Sequence, residues 1–149
     1  MWKTRKINKR GKSNRARLIE RLDRVFSEYI RIRDSFKTQS GFYFKCISCG
    51  AIKPYSEADC GHYVNRGHMG TRYNEENCNA QCRFCNRFDE GNIYNYRRGL
   101  VDKIGENRVL ILESMKHDAC KLSEFELEAM ITHYRERLKR LKEEKEWKK

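Results

Sequence analysis

Apolar residues are scarce in this sequence, 38% hydrophobic against 36% charged. A chain of 149 residues with that balance can bury only a small core and needs a staple beyond it. No hydrophobic run approaches the ~18–20 residues of a membrane span; the longest is Val109-Leu110-Ile111-Leu112. No secretory h-region follows Met1, and no internal repeat is present beyond a doubled C-x-x-C. These absences exclude a helical membrane protein and predict a soluble, cytoplasmic chain about one domain long. Acidic residues are also few at the start: residues 1–37 hold 13 Lys/Arg against 4 Asp/Glu, and most of the net +12 resides there. So basic a segment attracts a polyanion and releases its counterions, which favours nucleic acid as partner over a merely solvated tail.

Residues 1–13 are polar, basic and aperiodic, and are expected to form a flexible arm. Leu18, Leu22, Val25, Phe26, Tyr29 and Ile30 then recur at helical spacing, which predicts a helix over 14–38. Gly41–Lys45 suits a short strand, Pro54 marks a turn, and Ala58–Val64 suits a second extended piece. The glycine-bearing stretch Asn65–Glu76 suits a loop, and a helix is expected from Cys82 to a stop at Gly91. Helices are expected over Ile93–Ile104 and Glu106–Lys116. Ser123 and Glu126 form a capping box, with Leu122 and Leu127 as the staple, before a last helix whose stripe runs through Met130, Ile131, Tyr134, Leu138 and Leu141. That stripe could face the first helix or a second subunit.

Cysteine is the abundant exception, with seven residues. Cys46-Ile-Ser-Cys49 and Cys82-Arg-Phe-Cys85 supply four soft thiolates in two knuckles, the donor set of a structural Zn²⁺. Thirty-two residues separate the pairs, more than the ~12–20 of simple fingers, so a functional segment is expected between them. Cys60, Cys78 and Cys120 lack that spacing and read as small buried hydrophobes.

Between and just after the knuckles lie Asp59-Cys-Gly-His62, Asn77-x4-Cys82-x2-Cys85-Asn86 and Asp89-Glu90. This order resembles the HNH endonuclease signature, with Asn86 where its final His would stand. Cys46-Ile-Ser-Cys-Gly50, Asp59-Cys-Gly-His-Tyr63, Arg72-Tyr-Asn-Glu-Glu-Asn77, Gln81-Cys-Arg-Phe-Cys-Asn86 and Gly91-Asn92 closely resemble the NinG/Rap recombination nucleases of lambdoid phages, over roughly residues 18–145. The resemblance implies an α+β fold: a zinc-stapled ββα-metal (HNH-like) core over 41–91, with flanking N- and C-terminal helices, in a single nuclease domain over 14–149 whose C-terminal part, 92–147, is helical. It implies cleavage of branched DNA such as Holliday junctions and D-loops, in the host cytoplasm if the chain is phage-encoded. It also gives Asn77 the task of holding the hairpin that aims the histidine. Members of that family often carry a longer, cysteine-containing N-terminal region, which a short basic arm replaces here.

Phosphodiester hydrolysis needs a base for water and a cation at the phosphate. His62 suits the base, because imidazole titrates near neutrality. Asn86 offers a carbonyl oxygen to Mg²⁺ or Mn²⁺. HNH enzymes place an acid immediately before the His; here Gly61 stands there, so Asp59, on the same strand face as residue 61, is assigned the second ligand role. Asp89, one helical turn beyond Asn86, is the alternative. His68 suits either a phosphate contact or solvent, and His117 and His133 read as ordinary helix residues. Symmetric cutting of a junction predicts a homodimer. The competing readings are a non-catalytic zinc-ribbon accessory protein that binds DNA, and a sequence-specific homing or restriction HNH enzyme.

Overall fold

A computed structural model describes residues 11–148, as a mixed α+β arrangement of helices around two small antiparallel sheets. Most of the basic arm therefore lies outside the described residues; at its end Ser13 caps the first helix, its hydroxyl accepting from the N–H of Ala16.

Helix α1 spans Asn14–Arg33 and carries the expected apolar stripe. It stops earlier than the periodicity suggested, because Ser35–Thr38 is not helix but strand β1. Two contacts turn the chain there. The Asp34 carboxylate accepts the N–H of Ala80 at 2.8 Å, and the Ser35 hydroxyl donates to the carbonyl of Arg31 at 2.6 Å. β1 then pairs with β2 (Gly41–Lys45) across a two-residue turn, setting Ser35 opposite Phe44 and Thr38 opposite Gly41, and β2 pairs with β3 (Ile52–Pro54). No glycine or proline lies between residues 33 and 38, so nothing local announced the helix end.

Strand β4 (Ala58–His62) pairs with β5 (Cys78–Cys82), with Ala58 opposite Cys82 and His62 opposite Cys78. The loop between them holds the short helix α2 (Met69–Arg72). The helix expected from Cys82 is shorter and wider than an α-helix: a single π-type turn, Phe84–Phe88, from which the chain leaves through positive φ at Glu90, Gly91 and Asn92. Helices α3 (Ile93–Ile104) and α4 (Glu106–Met115) follow as expected, parted by Gly105. His117 falls in the turn past α4 rather than within a helix.

Helix α5 (Glu124–Glu144) begins on the complete capping box of Ser123 and Glu126. Its stripe faces α1: Leu127, Ile131, Tyr134 and Leu138 pack with Leu18, Leu22, Phe26 and Ile30, and the Phe26 and Tyr134 rings meet edge-to-face at 4.9 Å. The Glu75 carboxylate gathers the Tyr29 hydroxyl, the Tyr134 hydroxyl and Arg137, fastening both helices to the loop before β5. Lys145 donates to the carbonyls of Ile32 and Arg33 at 2.7 and 2.8 Å, satisfying acceptors that the end of α1 leaves open.

Two smaller cores complete the packing. Phe44, Ala58 and Ala80 surround Cys46, Cys82 and Cys85; Tyr96 and Leu100 of α3 meet Val109 and Leu112 of α4. Helix α3 lies against the first knuckle so closely that a Cβ on Gly99 would stand 2.0 Å from the carbonyl oxygen of Ile47, which requires glycine there. Among the described residues no helix is long and apolar enough to cross a membrane.

Candidate functional site

The two knuckles converge. The sulfurs of Cys46, Cys49, Cys82 and Cys85 all lie within 4.8 Å of one another, although 32 residues intervene between the pairs. β2 delivers the first pair and β5 the second, with the N–H of Ile47 donating to the carbonyl of Ala80 at 3.1 Å to dock them. The donor set suits a metal such as Zn²⁺ in its spacing and its soft sulfur chemistry. Burial pushes the Cys46 thiol up, but backbone N–H groups led by that of Cys82, at 3.3 Å, outweigh it and stabilise the thiolate. Burial beside the other sulfurs pushes Cys85 up to about 12, so a bound cation has a proton to displace there. Asn92 donates to the Cys85 sulfur at 3.4 Å as an outer support.

His62 ends β4, half-buried, on the wall of a cleft of about 450 Å³ that also touches Cys60, Tyr63, Asn65, Arg66, Asn86, Glu90, Gly91 and Ile93. Its Nε2 lies 2.9 Å from the carbonyl oxygen of Arg72. A carbonyl only accepts, so the proton sits on Nε2 and Nδ1 keeps the lone pair. Burial pushes the His62 pKa below its ordinary value, the Arg72 carbonyl opposing this only in part, so the ring is neutral at neutral pH.

Asn77 is wholly buried, and its side chain closes the loop that leaves His62. Oδ1 accepts from the N–H of Val64 at 2.7 Å, while Nδ2 donates to the carbonyls of Val64 and Thr71 at 3.0 and 3.1 Å. Tyr96 supports the same hairpin from α3: its buried hydroxyl donates to the carbonyl of Gly61 at 2.8 Å and lies 3.2 Å from that of Asn77.

Across strand β4 the picture is different. Alternation puts Asp59 and Gly61 on the face opposite Cys60 and His62. A Cβ on Gly61 would lie 2.2 Å from the Gln81 side-chain oxygen, which leaves no room for an acid immediately before the histidine. Asp59 is held in a bidentate ion pair with Arg87, 2.7 Å on each oxygen, and accepts from Asn86 Nδ2 at 3.0 Å. Burial pushes its carboxyl up, but the hydrogen bonds from Arg87 and Asn86 prevail and hold it below the usual carboxylate range. Asn86 thus touches both Asp59 and the cleft. Asp89, exposed at the end of the π-type turn, does not line that cleft, whereas its neighbour Glu90 does.

The amino-acid sequence of residues 2–145 matches the family model described as "Bacteriophage Lambda NinG protein". The chain belongs to the NinG family. It is 31% identical over 138 residues to protein NinG of Escherichia phage lambda, covering 92% of this chain and 63% of that protein, and 30% identical over 139 residues to protein NinG of Salmonella phage P22, covering 93% and 64%. The chain thus spans somewhat under two thirds of the length of these NinG relatives. No solved structure matches it.

Sequence reasoning missed Glu90, Arg66 and the pair Cys60 and Cys78. Strand alternation could have placed Cys60 beside His62, since they are two residues apart. Nothing local pointed to Glu90, which enters the cleft because its backbone takes φ +47°. His68, exposed at the start of α2, does not line the cleft but an adjoining depression with Glu113 that shares Tyr63, Asn65 and Ile93 with it.

Proposed function

We propose that this chain is a metal-dependent, structure-selective DNA endonuclease of the HNH type that cuts branched intermediates such as four-way junctions. The observation that carries the reading is His62: a neutral imidazole, its tautomer fixed by the Arg72 carbonyl, on a cleft shared with Asn86 and Glu90. In this reading β4, β5 and the π-type turn are the ββα-metal core, reduced in its helix, with the four cysteines as its zinc staple.

His62 Nδ1 takes the proton of the attacking water, and the Arg72 carbonyl stabilises the imidazolium that results. Arg66, at the cleft and ion-paired with Asp23 at 3.0 Å, meets the scissile phosphate. Asn77 and Tyr96 keep the hairpin, and therefore His62, in register. Asn86 and Glu90, which line the cleft, would hold a hard cation such as Mg²⁺ or Mn²⁺ through their oxygens, with Asp59 in contact with Asn86 behind them. Such a cation supplies neutralisation of charge on the phosphate and the departing 3′ oxygen. Asp59 joins that set only by releasing Arg87, so its carboxylate is a reserve ligand while Asn86 and Glu90 already face the cleft.

Cutting a junction on two strands calls for two copies, so a homodimer acts on DNA. The apolar stripes of α1 and α5, offered by the sequence as an interface, are used on each other within one chain. The reading is tested by incubating protein loaded with Zn²⁺ at its four-cysteine site alone with end-labelled four-way junction and linear duplex, with Mg²⁺, Mn²⁺ or chelator. Paired cuts near the branch that need added cation, with the duplex cut far less, are expected. No cleavage of either DNA under any of these conditions would leave a zinc-ribbon binding protein as the better account.

A further inference from the structure

Among the described residues, two groups of side chains meet the spacing of a metal site, and only one is the four-cysteine cluster. The other is Cys60, His62 and Cys78, whose donor atoms also lie within 4.8 Å of one another. We propose that these three residues form a second site, for a soft divalent cation such as Zn²⁺, and that filling it silences the cleft by taking His62 as a ligand. The silencing rests on His62 being the base; the metal site itself does not.

The backbone explains why the donors meet. His62 stands opposite Cys78 in the β4–β5 register, and Cys60 precedes His62 by two residues on the same face. His62 Nε2 and the Cys78 sulfur both reach the Arg72 carbonyl oxygen, at 2.9 and 3.4 Å, so two donors already converge on one point. A tetrahedral Zn²⁺ with bonds of about 2.0–2.3 Å needs ligands roughly 3.4–3.8 Å apart, against donor atoms that now lie within 4.8 Å of one another. Three protein ligands leave a fourth position for water, and access exists, because Cys60 and His62 line both the 450 Å³ cleft and a smaller cavity beside Asp23 and Tyr73. Two thiolates and an imidazole select Zn²⁺ over Mg²⁺, which stays with oxygen donors. A cation on Nδ1 occupies the lone pair that the base needs, and one on Nε2 displaces the Arg72 hydrogen bond that fixes the tautomer, so the filled site and the working base exclude each other.

The experiment uses the full chain, titrated with Zn²⁺ against a chromophoric chelator, with total metal counted after dialysis. Wild type should take two Zn²⁺, the second weaker, and Cys60→Ala should take one. The half-buried position of Cys60 spares the core, and retention of the first zinc confirms that the variant is folded. Loss of a direct ligand should weaken the second site by more than the ~10–100-fold that losing an outer-shell partner costs. Replacing Zn²⁺ by Co²⁺ should give a second thiolate-to-metal absorption band in wild type, absent from Cys60→Ala. Junction cleavage in Mg²⁺ should be inhibited by Zn²⁺ at the second-site concentration, and Cys60→Ala should need correspondingly more. One zinc per wild-type chain, two per Cys60→Ala chain, or a Cys60–Cys78 disulfide in a chain holding one zinc would each overturn the site. A chain able to bind two zincs that cuts no DNA in Mg²⁺ even when only its four-cysteine site is filled would overturn the silencing and the nuclease reading, leaving the site intact.

Discussion

Replacing Cys85 by Ser should separate the two halves of this fold. The cluster around the knuckles buries Phe44, Ala58 and Ala80 apart from the cysteines themselves. Fully burying a Phe stabilises by roughly 1.5–3 kcal/mol and each Ala by less, so these apolar groups together contribute only a few kcal/mol. Structural Zn²⁺ in finger peptides contributes about 10–16 kcal/mol at neutral pH, as much as a whole domain's net stability of about 5–15 kcal/mol. Without its fourth thiolate the knuckle region should lose metal and order together. The α1–α5 pair should survive, because ten of the twelve buried residues of its cluster, among them Leu22, Phe26, Ile30 and Leu127, lie on those two helices, and only Tyr73 and Cys78 come from the β4–β5 hairpin. Hydrogen exchange read residue by residue distinguishes the outcomes, with metal content measured on the same sample. Amides of β4 and β5 should exchange freely in Cys85→Ser while those of α1 and α5 stay protected. A zinc-free variant with β4 and β5 still protected would refute the argument that metal, rather than apolar burial, holds this region.

Two further outcomes follow from the cleft. Because burial lowers the His62 pKa, the base is predominantly deprotonated at neutral pH; the single-turnover rate should change little near pH 7–8 and its acid limb should have its midpoint below the ordinary histidine value of about 6.5. An acid limb at or above that value would contradict the geometry. Arg87 competes with a cation for Asp59, so Arg87→Ala should lower the Mg²⁺ concentration needed for half-maximal cleavage, and an unchanged requirement would show that Asp59 takes no part.

Much of this architecture is legible in the residues because it is local. The capping box at Ser123, the stripe of α5, the break at Gly105 and the two knuckles all depend on neighbours within a few positions, and each stands where periodicity or spacing put it. The end of α1 is hidden because strand pairing decides it, Ser35 standing opposite Phe44 nine residues further on. The cleft was only partly legible for the same reason. His62 and Asn86 could be named from their motif, but which acid faces them depends on three dimensions: the Gln81 side chain excludes an acid at residue 61, Arg87 claims Asp59, and a positive φ brings in Glu90 instead of Asp89. Cys60 and Cys78, read as isolated hydrophobes, meet His62 only through the strand register.

The central claim, that His62 is the base of a DNA-cutting site, is tested most directly by the single-turnover rate of four-way junction cleavage by His62→Ala, with junction affinity measured by gel shift on the same preparation. The account predicts unchanged affinity and zinc content with a rate lower by roughly 10²–10⁴-fold. Cleavage at the wild-type rate would contradict it.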